Sequence, residues 1–169
     1  EMWMQEELAT LEEARLTLKT KDINKGIRDL QTKLAEAQKQ VEDLLRAQAM
    51  QVKAEWKNQI TTHNGRNLLF VETQLDAGSV KDICFQLKSE FSNFGAVITT
   101  KNDSKPMIAV AFSDDACAAW NCHAGQLVKE WSKEIKGGGG GQPSFATCGG
   151  TDASGLSSVM EKAKSLLMV

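Results

Sequence analysis

Residues 137–150 read GGGGGQPSFATCGG, a run of five glycines followed by Gln142-Pro143 and, further on, a second glycine pair, Gly149-Gly150. Three interpretations compete. A flexible linker explains the glycine run but not the segment after it. A phosphate-binding P-loop requires a Gly-Lys-Ser/Thr ending and a preceding strand, and this sequence offers neither. A packed loop, in which glycine lets backbone approach a partner closely and present N–H groups, is the third.

The residues before the glycine segment predict a strand and a helix. Turn chemistry at residues 63–67 precedes an apolar run from Leu68 to Leu75, which is typical of a strand. Asp76 is placed to cap a helix with apolar residues at helical spacing. We expect Gly95 to end that helix.

The rest of the domain continues this alternation of strands and helices. Two strands at 96–100 and 107–112 flank a turn at 102–105 and predict a β-hairpin. Ser113-Asp114-Asp115 is expected to cap a single long helix that reaches Ile135, and a last helix is predicted at about 154–167. The order β-α-β-β-α-(glycine loop)-β-α describes a small α/β layer domain of about 110 residues, enough to fold alone.

Residues 1–59 predict a helical hairpin. They contain no proline and one glycine and are rich in strong helix formers. Asp22 is placed to cap a second helix of about 36 residues, roughly 54 Å long. Along it apolar residues recur at spacings of four and three, as in a coiled coil. This heptad stripe consists of Ile23, Ile27, Leu30, Leu34, Ala37, Val41 and Leu44.

The heptad stripe needs a partner, either the chain's own globular part or a second chain, because a plain solvated spacer would not keep a strict apolar stripe. The predicted fold class is therefore α+β. A long helical hairpin over residues 1–59 precedes the globular domain at 60–169. The chain opens inside a helical pattern without a cap, and we expect it to be a segment of a longer protein.

Composition limits the function classes. Net charge is −2 and the pI is about 5.8, whereas strongly basic nucleic-acid domains usually lie above pI ~9. Any nucleic-acid contact must therefore come from a local patch. No run of apolar residues approaches the length of a membrane span. The four cysteines do not form a disulfide pattern, and Cys117, Cys122 and His123 lack zinc-ligand spacing, so we expect reduced thiols and no metal site.

The glycine segment resembles the signature of the DHH-associated domain, in the version found at the C-terminus of alanyl-tRNA synthetases. In that signature a helix that ends in an apolar turn is followed by a glycine run. A Lys or Gln before Pro comes next, then an aromatic residue or Met, an Ala and a Gly-Gly pair. Upstream, Ser113-Asp114-Asp115 and Ala124-Gly125-Gln126-Leu127-Val128-Lys129 are similar to the same family. Some positions depart from the commonest forms: Gln142 stands where DHH phosphoesterases usually carry His and where the commonest synthetase form carries Lys. Ser144 and Thr147 replace the commoner Asp and Gln.

The resemblance implies a module that holds the tRNA elbow, so that the aminoacylation and editing sites of one enzyme share a bound tRNA. It also implies a cytoplasmic homodimer with tRNA-Ala as partner and no catalytic site or cofactor in this chain. ATP, magnesium and zinc would belong to other domains of the parent alanine–tRNA ligase. No membrane partner is implied.

The residues suggest where RNA would bind. The candidates are Gly137, Gly138, Gly139, Gly140, Gly141, Gln142 and Pro143, three lysines, Lys129, Lys133 and Lys136, and more weakly Arg66. The spacing of the lysines predicts one shared helix face, although interleaved glutamates also fit a solvated face. The heptad stripe is the candidate helical interface. We expect Trp120 and Trp131 to pack in the core and His123 not to be a catalytic base.

Two alternatives remain open at this point. One is a purely structural dimerisation module that binds no RNA, which the near-neutral charge favours. The other is the substrate-binding half of a DHH-family phosphoesterase, against which Gln142 and the preceding coiled coil count.

Overall fold

A computed structural model describes residues 1–102 and 105–169; the predicted turn at 102–105 therefore lies partly outside the described residues. Its helices and strands follow in chain order. They are α1 (Met2–Leu18), α2 (Ile23–Gln59), β1 (Thr61–His63), β2 (Arg66–Thr73), α3 (Ala77–Glu90), β3 (Phe94–Asn102), β4 (Lys105–Phe112), α4 (Asp114–Trp120), α5 (Ala124–Trp131), β5 (Gly138–Gly141), β6 (Phe145–Gly149) and α6 (Leu156–Leu167). Short 3₁₀ turns occupy Ser132–Ile135 and Ala153–Gly155.

The strands form one mixed six-stranded sheet in the order β1-β2-β3-β4-β6-β5. Only β2 and β3 run parallel, with α3 as the connection, and the other neighbours are antiparallel. The α+β class is confirmed, and so is the β3–β4 hairpin. Strand β1 was not predicted. It pairs with β2 through a tight turn at Asn64-Gly65, where both residues have positive φ (50° and 78°), as a type I′ turn requires.

Two apolar cores lie on opposite faces of the sheet, because successive strand residues point to opposite faces. One contains Leu68, Val97 and Val110 with residues of α5 and α6. The other contains Leu69, Ile98 and Ala109 with residues of α3 and the end of α2, including Trp56 at 3% exposure.

The prediction of a single helix from Ser113 to Ile135 is wrong. This segment forms two helices, α4 and α5, and a 3₁₀ turn. Helix α4 ends at Trp120, and the next residue, Asn121, has a left-handed φ of 51° that breaks the helical path. The imidazole of His123 then accepts a hydrogen bond from the Gln126 N–H and caps α5. Ser113 does not cap α4, because its hydroxyl accepts from the Phe94 N–H at 2.9 Å.

Gly95 does not end the third helix. Helix α3 stops at Glu90 with Phe91 in an extended conformation, and Gly95 lies inside β3. A Cβ at Gly95 would sit 2.7 Å from the Trp120 ring, so the glycine admits that ring onto the sheet. Strand β2 likewise ends at Thr73, before Leu75.

The chain forms two compact units, Glu1–Gln48 and Ala49–Val169. In the first unit Asp22 caps α2 as predicted, accepting from the Lys25 N–H at 3.0 Å. A turn joins α1 to α2, and a Cβ at Gly26 would lie 3.2 Å from Leu18. The predicted hairpin does not bury its apolar stripes, since Leu8 and Leu11 on α1 remain 65% and 49% exposed.

Asp76 caps α3 as predicted: its carboxylate accepts from the Ser79 hydroxyl and the Ser79 N–H at 3.1 Å. These bonds lower the pKa of Asp76. A carboxyl with a lowered folded-state pKa stabilises the fold above its unfolded pKa, and that contribution is lost as pH falls through the folded value. We expect Asp76→Ala to cost about 1 kcal/mol at pH 7 and clearly less at pH 2–3, measured by urea unfolding. Asp29→Ala, on the exposed surface of α2, is the control. If Asp76→Ala costs the same free energy of unfolding at both pH values, the prediction is contradicted.

Candidate nucleic-acid interface

The glycine run is an edge strand, not a loop or linker. Residues Gly138–Gly141 pair with β6 along their whole length, and β5 is the last strand of the sheet. A Cβ at Gly139 would lie 2.3 Å from the Thr147 carbonyl oxygen and one at Gly141 would lie 2.6 Å from Ala146 Cα. Gly139 and Gly141 are thus required for the close contact with β6, whereas Gly138 is not. In the described part of the chain no strand pairs with the outer edge of β5.

Helix α5 also approaches β5 closely. A Cβ at Gly125 would lie 2.5 Å from the Gly141 carbonyl oxygen. The close approach of α5 to β5 therefore requires glycine at this position of the Ala124–Lys129 motif. The Pro143 carbonyl accepts from the Ala124 N–H at 3.0 Å and from Cys117 Sγ at 3.4 Å. The Gln142 N–H donates to the Phe145 carbonyl at 2.9 Å. The connection between β5 and β6 is therefore fixed.

The three candidate lysines do not share one helix face, contrary to the prediction. Helix α5 ends at Trp131, Lys133 lies in the 3₁₀ turn, and Lys136 has a left-handed φ of 50°. Since a 3₁₀ turn has three residues per turn, the α-helical spacing no longer applies. Lys129 lies beside the glycine strand: its Cε would be 3.5 Å from a Cβ at Gly140.

Two acidic residues lie near these lysines, Glu134 and Asp152, and neither forms a strong ion pair with them. Glu134 forms an ion pair with Lys162 of α6, and the hydrogen bond from Lys162 lowers the pKa of Glu134. Lys136 lies 3.7 Å from Asp152, and Lys136 is largely exposed, so the pair is weak. Lys129 and Lys133 lie in no salt bridge among the residues that the structure describes.

Arg66 has a structural role. Its guanidinium lies 5.0 Å from the centroid of the Trp120 ring and donates to the Leu167 carbonyl at 3.2 Å. Trp131 is buried as expected, at 3% exposure, whereas Trp120 is half-buried and meets Phe112 edge-on at 5.9 Å. An RNA contact by Arg66 stays a prediction, and it would have to form beside these bonds.

The cysteines serve packing. All four are free thiols, and burial raises the pKa of Cys84 to about 12 and that of Cys148 to about 11. Burial also raises the pKa of Cys117 and Cys122, so all four remain protonated near neutral pH. Within residues 1–102 and 105–169, no three His, Cys, Asp or Glu side chains group as metal ligands. Nor does that part of the chain hold a helix long and apolar enough to cross a bilayer.

One element beside the candidate interface was not predicted from the sequence. Helix α3 reaches the β5–β6 connection: the Lys88 Nζ lies 3.4 Å from the Ser144 hydroxyl. Phe85, three residues earlier, packs on Phe145 with ring centroids 5.3 Å apart. The sequence did contain a signal for this contact. Phe85 lies outside the apolar face of α3, and Lys88 follows it by about one helical turn.

In the first unit, most of the heptad stripe is exposed. The exposed fractions are 43% for Ile27, 54% for Leu30, 59% for Leu34, 56% for Val41 and 70% for Leu44. Ile23, at the start of the stripe, is half-buried. The candidate helical interface therefore offers apolar side chains to solvent, which is unusual for a helix without a partner.

Comparison with known proteins places this geometry in a family. The model of the DHHA1 domain matches residues 65–168, and the chain belongs to that family. Its relatives in turn include alanine–tRNA ligases. It is 34% identical over 166 residues to the alanine–tRNA ligase of Christiangramia forsetii, which covers 98% of this chain and 19% of the relative. It is 37% identical over 165 residues to the alanine–tRNA ligase of Bacteroides fragilis strain ATCC 25285, a match that covers 94% of this chain and 19% of the relative.

The chain thus spans about a fifth of the length of these relatives. The fold is that of the C-Ala domain. The crystal structure of this domain from Aquifex aeolicus alanyl-tRNA synthetase matches with a TM-score of 0.58 at 17% identity, over 65% of this chain and 98% of that one.

Proposed function

We propose that this chain is a tRNA-binding module of an alanine–tRNA ligase, which holds the tRNA elbow so that aminoacylation and editing act on the same tRNA-Ala. The observation that carries the proposal is the glycine edge strand: an ordered backbone surface beside Lys129, in a DHHA1 domain with alanine–tRNA ligases as relatives. In this proposal the catalytic residues, ATP, magnesium and zinc belong to other domains, and the protein works in the cytoplasm.

The glycine strand suits the elbow because RNA with unpaired, stacked bases is recognised by shape, backbone contacts and stacking more than by a basic groove. Gly138 has open space around its Cα, with nothing within 4 Å of a built Cβ. Among the described strands none pairs with the outer edge of β5, and Gly138 and Gly139 are exposed, so this edge can present backbone N–H groups to phosphate or ribose oxygens. A net charge of −2 is compatible with such a contact.

We expect this chain to bind tRNA-Ala with an affinity that falls as salt rises, and more weakly when the tRNA elbow is disrupted. If Lys129, Lys133 and Lys136 each contact a phosphate, the plot of log K against log salt has a slope of roughly −2 to −3. Fluorescence anisotropy at several salt concentrations measures both effects. Equal binding of intact and elbow-disrupted tRNA would contradict elbow recognition.

A second candidate function, homodimer formation, is favoured by the exposed heptad stripe. Pairing with a second copy would bury Leu30, Leu34, Val41 and Leu44, which α1 leaves exposed. If the chain shows no tRNA binding even at low salt but sediments as a dimer, dimerisation becomes its principal function.

A further inference from the structure

A second cationic surface lies on the sheet face opposite to α5. Helix α3 places the Lys88 Nζ 4.2 Å from the centroid of the Phe85 ring and 3.4 Å from the Ser144 hydroxyl. The Lys81 Nζ lies 5.8 Å from the same ring, and Phe145 packs against it at 5.3 Å with an interplanar angle of 53°. We name these five residues, Lys81, Phe85, Lys88, Ser144 and Phe145, the α3 cluster.

Core packing does not account for the exposed ring in this cluster. The buried face of α3 is already made by Val80, Ile83, Cys84 and Leu87. Phe85 lies outside that face and remains 42% exposed, which is high for a large aromatic side chain. It contacts Phe145 on β6, the strand that carries β5 on its outer side. The ring therefore lies close to the signature segment.

The lysines of the α3 cluster also differ from others nearby. Lys53 and Lys57 both pair with Glu90 at the end of α3. By contrast, neither Lys81 nor Lys88 forms a salt bridge with any residue in the described ranges. Lys88 is half-buried, and its ammonium group lies over the Phe85 ring and donates to the Ser144 hydroxyl. Its charge remains available to an anion.

We propose that the α3 cluster is an RNA subsite at which an unpaired base stacks on Phe85 while Lys88 and Ser144 donate to the neighbouring phosphate. This inference rests on the proposed tRNA-binding function and extends it from the edge of β5 to α3. Lys81 lies two helical turns before Lys88, about 10 Å along the axis, and contacts a second phosphate. An exposed aromatic ring flanked by cations is the usual arrangement for binding unpaired nucleotides.

Protein partners fit this surface less well than RNA. An interface core is depleted in charge and built around buried apolar anchors. Here two lysines that form no salt bridge within residues 1–102 and 105–169 flank one ring, and the hydroxyl of Ser144 borders it, so the surface is cationic and polar. In the structure the Lys88 ammonium group lies over the face of the Phe85 ring, a weak contact at an exposed site. In the proposed complex the base takes that place on the ring, and the Lys88 side chain turns to the adjacent phosphate.

The test uses the whole chain and tRNA-Ala in anisotropy titrations over a range of salt concentrations. The variant F85L/K88Q keeps apolar bulk and side-chain length but removes the aromatic ring and the charge. The matched control is F70L/K164Q, a Phe–Lys pair on the opposite sheet face, with 6.0 Å between the Lys164 Nζ and the Phe70 ring. We expect F85L/K88Q to bind about tenfold or more weakly, with its salt slope reduced by about one, and F70L/K164Q to bind like the wild type.

A third variant, F85W, retains a stacking surface and is expected to keep wild-type affinity. Circular dichroism and urea unfolding check that each variant folds. If the wild type binds tRNA but F85L/K88Q binds equally well, the α3 subsite is wrong and the proposed function stands. If the wild type does not bind tRNA at all, the proposed function is wrong and the subsite with it.

Discussion

Gly139→Ala is expected to lower the free energy of unfolding by about 3 kcal/mol, because an added methyl group cannot be accommodated between β5 and β6. The new Cβ would lie 2.3 Å from the Thr147 carbonyl oxygen and 2.4 Å from Cys148 Cα. Both are backbone atoms, so no flexible side chain can move aside. The strand must instead shift away from β6 and weaken its ladder of hydrogen bonds.

The matched control is Gly138→Ala, the preceding residue of the same strand. Nothing lies within 4 Å of a Cβ built there. Both substitutions reduce the conformational freedom of the unfolded chain equally, so the difference between them isolates the steric contact. Urea unfolding followed by circular dichroism gives the two free energies. Equal values would contradict the packing of β5 on β6 and would favour the flexible-linker interpretation of residues 137–150.

Local signals in the sequence predicted much of the fold. The caps at Asp22 and Asp76 are confirmed because a short side chain and the first helical N–H groups are neighbours along the chain. The β3–β4 hairpin is confirmed because its pairing also depends on adjacent residues. The break at Asn121 was missed, since apolar residues keep helical spacing across it and only the left-handed backbone shows the interruption.

The glycine run shows why the site was harder to predict. Composition identified Gly137–Gly141 as unusual, but glycine has no side chain and so carries no strand periodicity. Its strand conformation follows from the partner β6, whose residues begin four positions after β5 ends. The contact between Lys88 and Ser144 joins residues 56 positions apart. No local pattern in either segment specifies such a contact.

The boundary between the helical and globular parts depends on one buried tryptophan. The sequence places that boundary at residue 59, where α2 ends and glycine and turn residues begin. In the structure the compact globular unit starts at Ala49, because Trp56 packs with residues of α3 and the sheet and is only 3% exposed. Val52 packs against the same core, and Lys53 and Lys57 pair with Glu90. The last turns of α2 therefore belong to the globular fold.

Trp56→Ala is accordingly expected to cost about 3–5 kcal/mol, the usual range for removing a large buried aromatic side chain and leaving a cavity. Trp3→Ala is the matched control, since Trp3 is also helical but 62% exposed, and its effect is expected within about 0.5 kcal/mol. Alanine favours helix at both positions, so a lower free energy of unfolding for Trp56→Ala reflects the loss of packing contacts. The measurement is urea unfolding of the whole chain followed by far-ultraviolet circular dichroism. A loss at Trp56 as small as that at Trp3 would mean that α2 ends as a free spacer and that the globular domain begins near residue 60.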